Sequence, residues 1–177
     1  LSLYVGRKLC HKNIYPSYAL LRYIKAEFDL SDSSAVVYNG ISDCSQDPKI
    51  IQTTPSEKFT MRVVVVGNYY FSKGIDLIMS IANEMSGIEF HLFGDVFNGL
   101  SEQEYIDIQK KLDNKRVIIY GKVGRKEFID FLNQNKSVVC IPSRSQVCPL
   151  VAIEAMATSH PLVVSNIPVF NEITSED

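Results

Sequence analysis

The stretch that decides the fold is Met61-Arg-Val-Val-Val-Val-Gly67, followed by Asn68-Tyr-Tyr-Phe-Ser-Lys73-Gly74. Four consecutive valines cannot alternate between core and solvent. Residues 62–66 therefore read as a strand buried on both faces, the habit of parallel sheets. Gly67 ends the run. Beyond it, between Lys73 and Met85, Ile75, Ile78, Met79, Ala82 and Met85 fall at helical spacing. Working outward, the alternation repeats. Residues 89–93 read as a strand ending at Gly94. Residues 101–112 read as a helix, with Ser101 as cap and Glu104 completing a capping box. A strand at 116–120 ends at Gly121, and a helix at 126–135 lines up Phe128, Ile129 and Leu132. A strand at 137–141 runs into Pro142-Ser143, and a helix at 149–158 has Pro149 near its first turn, where no N–H is needed. The last strand is 161–165. Five strands separated by helical segments predict βαβ units: an α/β, doubly wound, Rossmann-like parallel sheet over 61–177.

Upstream, Ser17 is a candidate cap for a helix at 18–28 with apolar residues at 20, 21, 24 and 28. A β-branched run at 35–38 closes on the turn signal Asn39-Gly40. Residues 42–60, polar and holding two prolines, read as a linker. Residues 1–41 read as a remnant of a different domain. The chain opens on Leu1 with no positively charged leader and stops just past an apparent helix start. The expectation is a piece of a longer protein.

Composition narrows the function. The chain has 177 residues, with 18 Lys plus Arg against 20 Asp plus Glu, so a broadly basic nucleic-acid binder is excluded. There is no apolar run of about 18 residues, as a membrane-spanning helix would need. Cys10, Cys44, Cys140 and Cys148 form no C-x-x-C pair, and the histidines are scattered, so no metal site is expected. His91 alternates within a strand and reads as a packed core residue.

In an open parallel sheet, ligands bind beyond the carboxyl ends of the strands. Those ends deliver Gly67 to Gly74, Gly94-Asp95, Gly121-Lys-Val-Gly124 and Pro142 to Pro149. Neither G-x-G-x-x-G nor G-x-x-x-x-G-K-[ST] is present, which weakens NAD and P-loop readings. Lys73 instead brings a mobile cation to a helix start, and the helix from 149 turns free N–H groups toward the same crevice. Glu154, one turn into that helix, offers a bidentate acceptor for sugar hydroxyls. Tyr69, Tyr70 and Phe71 could close over a sugar or dock on another domain. Together, with Glu154 for the ribose, these describe a nucleoside-diphosphate pocket.

Gly67-x5-Lys73-Gly74, Gly121-Lys-Val123, Pro142-Ser143, Leu150-Val-Ala-Ile-Glu154-Ala-Met-Ala157, Pro161-Leu-Val-Val-Ser165 and Glu172 stand in order and register. Over about residues 35–174 they resemble the carboxyl-terminal domain of GT-B glycosyltransferases of family 4. Asn39-Gly40-Ile41 resembles that family's interdomain crossing, and the helix after Ser17 the last helix of its amino-terminal domain. The resemblance implies retaining, metal-independent sugar transfer from a UDP-, GDP- or ADP-sugar, with no cofactor, to a glycan or lipid-linked acceptor. It places the protein in the cytoplasm or at the inner face of a membrane, any peripheral contact being made by the amino-terminal domain. By position, Gly67, Asn68 and Lys73 would line the diphosphate, Gly121, Lys122 and Val123 the base, and the amides of Leu150 and Val151 the phosphates. Glu154 would take the ribose, and Gln146 with Glu154 would occupy the E-x7-E positions tied to catalysis.

Three residues depart from the family pattern. Asn68 stands where the family has Arg, Gln146 where it has Glu, and Ser159 where it has Gly. Asn68 removes a bidentate phosphate fork. Gln146 keeps a hydrogen bond and loses a charge. Arg144 and Lys122 are candidates to replace the lost cation. Alternative readings are a donor-site-degenerate domain with a binding or scaffolding role, and a nucleotide-sugar epimerase, against which the uncharged Gln146 argues.

Overall fold

A computed structural model of the chain describes residues 12–28, 33–42, 61–68, 71–82, 84–95, 101, 103–104 and 116–174. Two compact units emerge. One is Ile41–Ser145 with Val151–Ser165; the other is Leu1–Gly40 with Gln146–Leu150 and Asn166–Asp177. The sequence suggested boundaries at 41 and 60. Segments 146–150 and 166–177 group with the amino-terminal residues. The expected linker lies almost wholly outside the described residues, as do Cys10, Cys44, Tyr69, Tyr70 and most of the expected helix at 101–112. The Ser101–Glu104 box itself is described: Glu104 N donates to Ser101 Oγ at 3.3 Å, and Ser101 N to Glu104 Oε2 at 2.8 Å.

In the amino-terminal unit, β1 (Asn13–Tyr15) pairs in parallel with β2 (Ser34–Val36), joined through α1 (Tyr18–Glu27). β1 carried no readable sequence signal. Ser17 caps α1 as its residue type suggests: its buried Oγ accepts from Leu20 N at 3.2 Å and donates to Val147 O at 2.7 Å. The other free donors of that first turn go to the chain's last described helix (α5, Pro168–Thr174). There the Glu172 carboxylate accepts from Tyr18 N at 2.8 Å, Ala19 N at 2.7 Å and the Tyr38 hydroxyl at 2.7 Å. A carboxylate at a helix N-terminus satisfies orphan donors and the positive end of the dipole together. The same hydrogen bond pushes the Tyr38 phenol up to about 12.

The larger unit is the predicted sheet. Strands β3 (Met61–Val66), β4 (Ile88–Phe93), β5 (Val117–Gly121), β6 (Val138–Ile141) and β7 (Leu162–Val164) run parallel in the order β5-β4-β3-β6-β7. Strand order reverses beside β3, so the crevice of this doubly wound sheet opens between β3 and β6. One face carries Val63, Val65, Phe90, Leu92 and Val117 against Ile75, Ile78 and Ala82 of the α2 region (Ile75–Ile81). The other packs Phe93 on Tyr120 at 4.3 Å and on Phe128 and Phe131 of α3 (Arg125–Gln134) at 5.4 and 4.9 Å. At the amino edge of that face a buried polar group replaces hydrocarbon. Arg62 Nη1 donates to Asn135 Oδ1 at 2.6 Å, and His91 Nε2 sits 2.8 Å from Glu89 Oε2. His91 is thus a core histidine, and burial holds its pKa below the ordinary value despite Glu89.

Helix α2 is shorter than the spacing from Lys73 to Met85 suggests. Phe71–Lys73 forms a 3-10 turn, and Gly74 enters the left-handed region at φ 70°. A Cβ on Gly74 would lie 2.0 Å from Pro142 O, so only glycine lets these two backbones touch. Helix α4 (Leu150–Ala157) closes in a Schellman turn: Ser159 N donates to Met156 O at 3.0 Å and His160 N to Ala155 O at 2.8 Å. Ser159 holds φ 58° there, a conformation that suits glycine. Ser159→Gly is expected to stabilise the fold by about 0.5–1 kcal/mol, the relief of left-handed strain less the added freedom of the unfolded chain. Thermal denaturation would show it as a higher midpoint; an unchanged or lower one would mean that Ser159 bears no strain.

Candidate functional site

The carboxyl ends of β3, β4, β5 and β6 share one edge of the sheet, and the turns beyond them are stitched together. Gly94 N donates to Gly121 O at 2.8 Å, and Gly67 N to Phe93 O at 2.9 Å. Asn68, where a cationic fork was sought, accepts from Asp95 N through Oδ1 at 3.1 Å. It thus pins the β3 end to the β4 end. The stem of Lys73 runs over Gly67, its Cβ 3.5 Å from where a Gly67 side chain would begin. Half-burial there disfavours the charged ammonium and lowers its pKa.

The turn that carries Lys73 is clamped by Arg144, beyond β6. Arg144 N donates to Ser72 O at 2.8 Å, and Arg144 Nη1 to Phe71 O at 2.6 Å. The guanidinium meets Asp76 as a fork, Nη1 to Oδ1 at 2.7 Å and Nη2 to Oδ2 at 2.8 Å. It also lies 3.8 Å from the ring centroid of Phe71. The Arg144 hydrogen bond is the main reason the Asp76 carboxyl sits below its usual range. Arg144, a candidate from sequence to replace a lost phosphate contact, here has its fork matched to Asp76. Lys122, the other candidate, is exposed on the turn after Gly121.

Glu154 is 5% exposed, and its Oε1 meets Arg125 Nε at 2.7 Å. Arg125 is the first residue of α3, just past Gly121, Lys122, Val123 and Gly124. The pair therefore joins the turn beyond β5 to the first turns of α4. At the other end of the same two helices, His160 Nε2 lies 3.1 Å from Asn135 O, well away from the crevice edge.

The site residues named from sequence thus divide. Gly67, Asn68, Lys73, Gly121, Lys122, Val123, Val151 and Glu154 belong to the sheet unit, at strand ends, on the turns beyond them or in the first turns of a helix that follows. Leu150 and Gln146 belong to the segment that groups with the amino-terminal unit. Asp76 and Arg125 were missed. Their partners lie 68 and 29 positions away, 144 minus 76 and 154 minus 125, and no spacing within a single sequence announces such a pairing.

Residues 46–177 match the glycosyl transferases group 1 family. The chain belongs to that family. It is 29% identical over 153 residues to an O-antigen biosynthesis glycosyltransferase, WclY, of Escherichia coli, covering 78% of this chain and 39% of that protein. It is 26% identical over 147 residues to an uncharacterized 41.2 kDa protein in the cps region of Klebsiella pneumoniae, covering 80% and 38%. The chain thus spans under half the length of these relatives. Among solved structures, Anabaena HepE in complex with UDP and glucose aligns with a TM-score of 0.73 at 18% identity, over 97% of this chain and 48% of that one. The lipopolysaccharide outer core galactosyltransferase WaaB aligns at 0.63 and 19%, over 88% and 43%. These likenesses establish the GT-B type of α/β sheet. Among the described residues, no helix is long and apolar enough to cross a membrane.

The Asp76–Arg144 clamp makes a pH-dependent prediction. A carboxyl with a lowered folded-state pKa stabilises above its unfolded value and loses that contribution as pH falls through the folded one. Asp76→Asn should therefore lower the melting midpoint at pH 7 by a few degrees at most, because the pair is part exposed. The gap from wild type should close as the pH drops below the ordinary carboxyl value of 3.8. A gap of constant size across that range would show that the pair contributes nothing.

Proposed function

We propose that this chain is the donor half of a family 4 GT-B glycosyltransferase, which takes a nucleoside-diphosphate sugar and transfers the sugar with retention and without a metal ion. The observation that carries the reading is one shared edge: Lys73 over Gly67 beyond β3, helix α4 starting beyond β6, and buried Glu154 one turn into it. Lys73 and the amides of Leu150 and Val151 hold the diphosphate, as a cation and a helix terminus do elsewhere. Glu154 accepts from the ribose hydroxyls. Gly121, Lys122 and Val123 form the rim against the base. Gln146 accepts a hydrogen bond from the donor sugar.

The O-antigen role named for WclY and the UDP and glucose in HepE support a sugar nucleotide and a polysaccharide product. The acceptor, a glycan or a lipid-linked saccharide, is the partner of the other domain of a GT-B enzyme. On this reading the reaction takes place in the cytoplasm or at the inner face of a membrane.

One observation favours a second reading, a domain that keeps the fold and has lost the chemistry. Asn68 is engaged with Asp95, so the position usually held by a phosphate-binding cation is spent on structure. Calorimetric titration of the full-length protein with UDP, GDP and ADP separates the two. Binding of one of them, weakened about 10- to 100-fold by Lys73→Ala as for a lost charge-assisted hydrogen bond, is the expected result. That binding should also weaken at alkaline pH sooner than an ordinary lysine would allow, because the charged form of Lys73 is already disfavoured. Failure of all three nucleotides to bind would leave the scaffolding reading.

A further inference from the structure

We infer that Arg125, at the first position of α3, is a positioning residue for nucleoside-diphosphate binding: it aims the Glu154 carboxylate and keeps it ionised. This rests on the donor reading above. The case begins with an asymmetry. The side chain of Arg125 is 45% exposed, whereas that of Glu154 is 6% exposed. A part-exposed arginine gains little stability from an ion pair. A buried carboxylate without a cation would take up a proton instead of staying charged. The contact therefore matters more to Glu154 than to the fold.

The contact also fixes direction. Arg125 Nε reaches Oε1 at 2.7 Å, and an ionised carboxylate has about four acceptor sites on its two oxygens, so capacity remains for a pair of hydroxyls. A protonated carboxyl would lose part of that capacity and turn one oxygen into a donor. Burial pushes Glu154 up, and Arg125 opposes it both by charge and by hydrogen bond. Lys126, next to Arg125 on α3, is held by Asp130 at 2.7 Å. On α4, Glu154 is the only ionisable side chain.

Arg125 is also placed to couple two parts of the ligand. It follows Gly124 directly, so the turn Gly121 to Gly124 and the Glu154 carboxylate are set by one side chain. A base lying on that turn and a ribose on that carboxylate would be held in fixed relation. Lysine at 125 would keep the charge and lose the Nε geometry.

The test has two arms on the full-length protein. In the first, carbon-13 NMR follows the Glu154 carboxyl through a pH titration in wild type, Arg125→Gln and Arg125→Lys. The expected result is a higher titration midpoint in the glutamine variant and a midpoint near wild type in the lysine variant. In the second, the affinity for whichever of UDP, GDP and ADP binds is measured from pH 5.5 to 8.5. The affinity of the glutamine variant relative to wild type, a ratio in which the nucleotide's own phosphate titration at about pH 6 cancels, should fall as the pH drops, approaching about tenfold per pH unit once below the new midpoint. Equal Glu154 midpoints in wild type and Arg125→Gln overturn the inference whether or not a nucleotide binds. Nucleotide binding with superimposable pH profiles overturns it while leaving the donor reading intact. No binding by any of the three to wild type removes the donor reading and the inference with it.

Discussion

The arrangement at the crevice depends on two backbones being allowed to touch. Gly74, in a left-handed turn, lies against the carbonyl of Pro142, where any side chain would collide. That contact brings the turn beyond β3 against the turn beyond β6, at the place where the sheet reverses its strand order. Gly94 repeats the device beside it: at φ 117°, a Cβ there would lie 2.6 Å from Gly67 O. Arg144 then fastens what the glycines permit, with two hydrogen bonds to the Phe71–Lys73 turn and a fork on Asp76. Lys73 inherits its position from this assembly. It sits at the start of a helix whose entry is set by backbone contact, so its ammonium is displayed from a rigid base.

The two faces of the sheet serve different ends. The α2 face is apolar, with the Cys140 thiol packed among its hydrocarbon side chains. The α3 face changes character along the strands, from Arg62, Glu89 and His91 at the amino edge to Phe93 stacked on Tyr120 toward the carboxyl edge. A buried polar group is tolerated only when its partners are present, and Arg62 finds Asn135 where α3 ends. The register of α3 on the sheet is thus specified at its end by a hydrogen bond and in its middle by Phe128 and Phe131. Register matters because the first residue of the same helix is Arg125.

What the sequence disclosed follows from how local each signal was. The valine run at 63–66, the apolar spacing of 75–82 and the glycines at strand ends are properties of neighbouring residues, and each led to a strand, helix or turn at about its observed place. The capping by Ser17 and the Ser101–Glu104 box were legible for the same reason. The parallel order needed only the alternation of elements. By contrast, β1 is three residues long and depends on β2 for its existence, so Asn13–Tyr15 has no pattern of its own. The grouping of 146–150 and 166–177 with the amino-terminal residues is a long-range fact that composition does not record. Ser159 read as a departure from a family habit, and its meaning became clear only with its φ. Lys73 and Glu154 became candidates through strand ends and resemblance; the pairs that hold them in place were not legible.

Glu172 has an implication for how the protein is made. Its carboxylate receives two main-chain donors of α1, one of them from a residue 154 positions earlier. The whole sheet unit is therefore, along the chain, an insertion into the smaller one. On the ribosome the parallel sheet can assemble while the smaller unit still waits for α5. Until α5 emerges, two N–H groups of α1 have only water for company. Completion of the amino-terminal unit is thus deferred until residues 166–174 have been made, in the manner of structures whose contacts join distant parts of the chain.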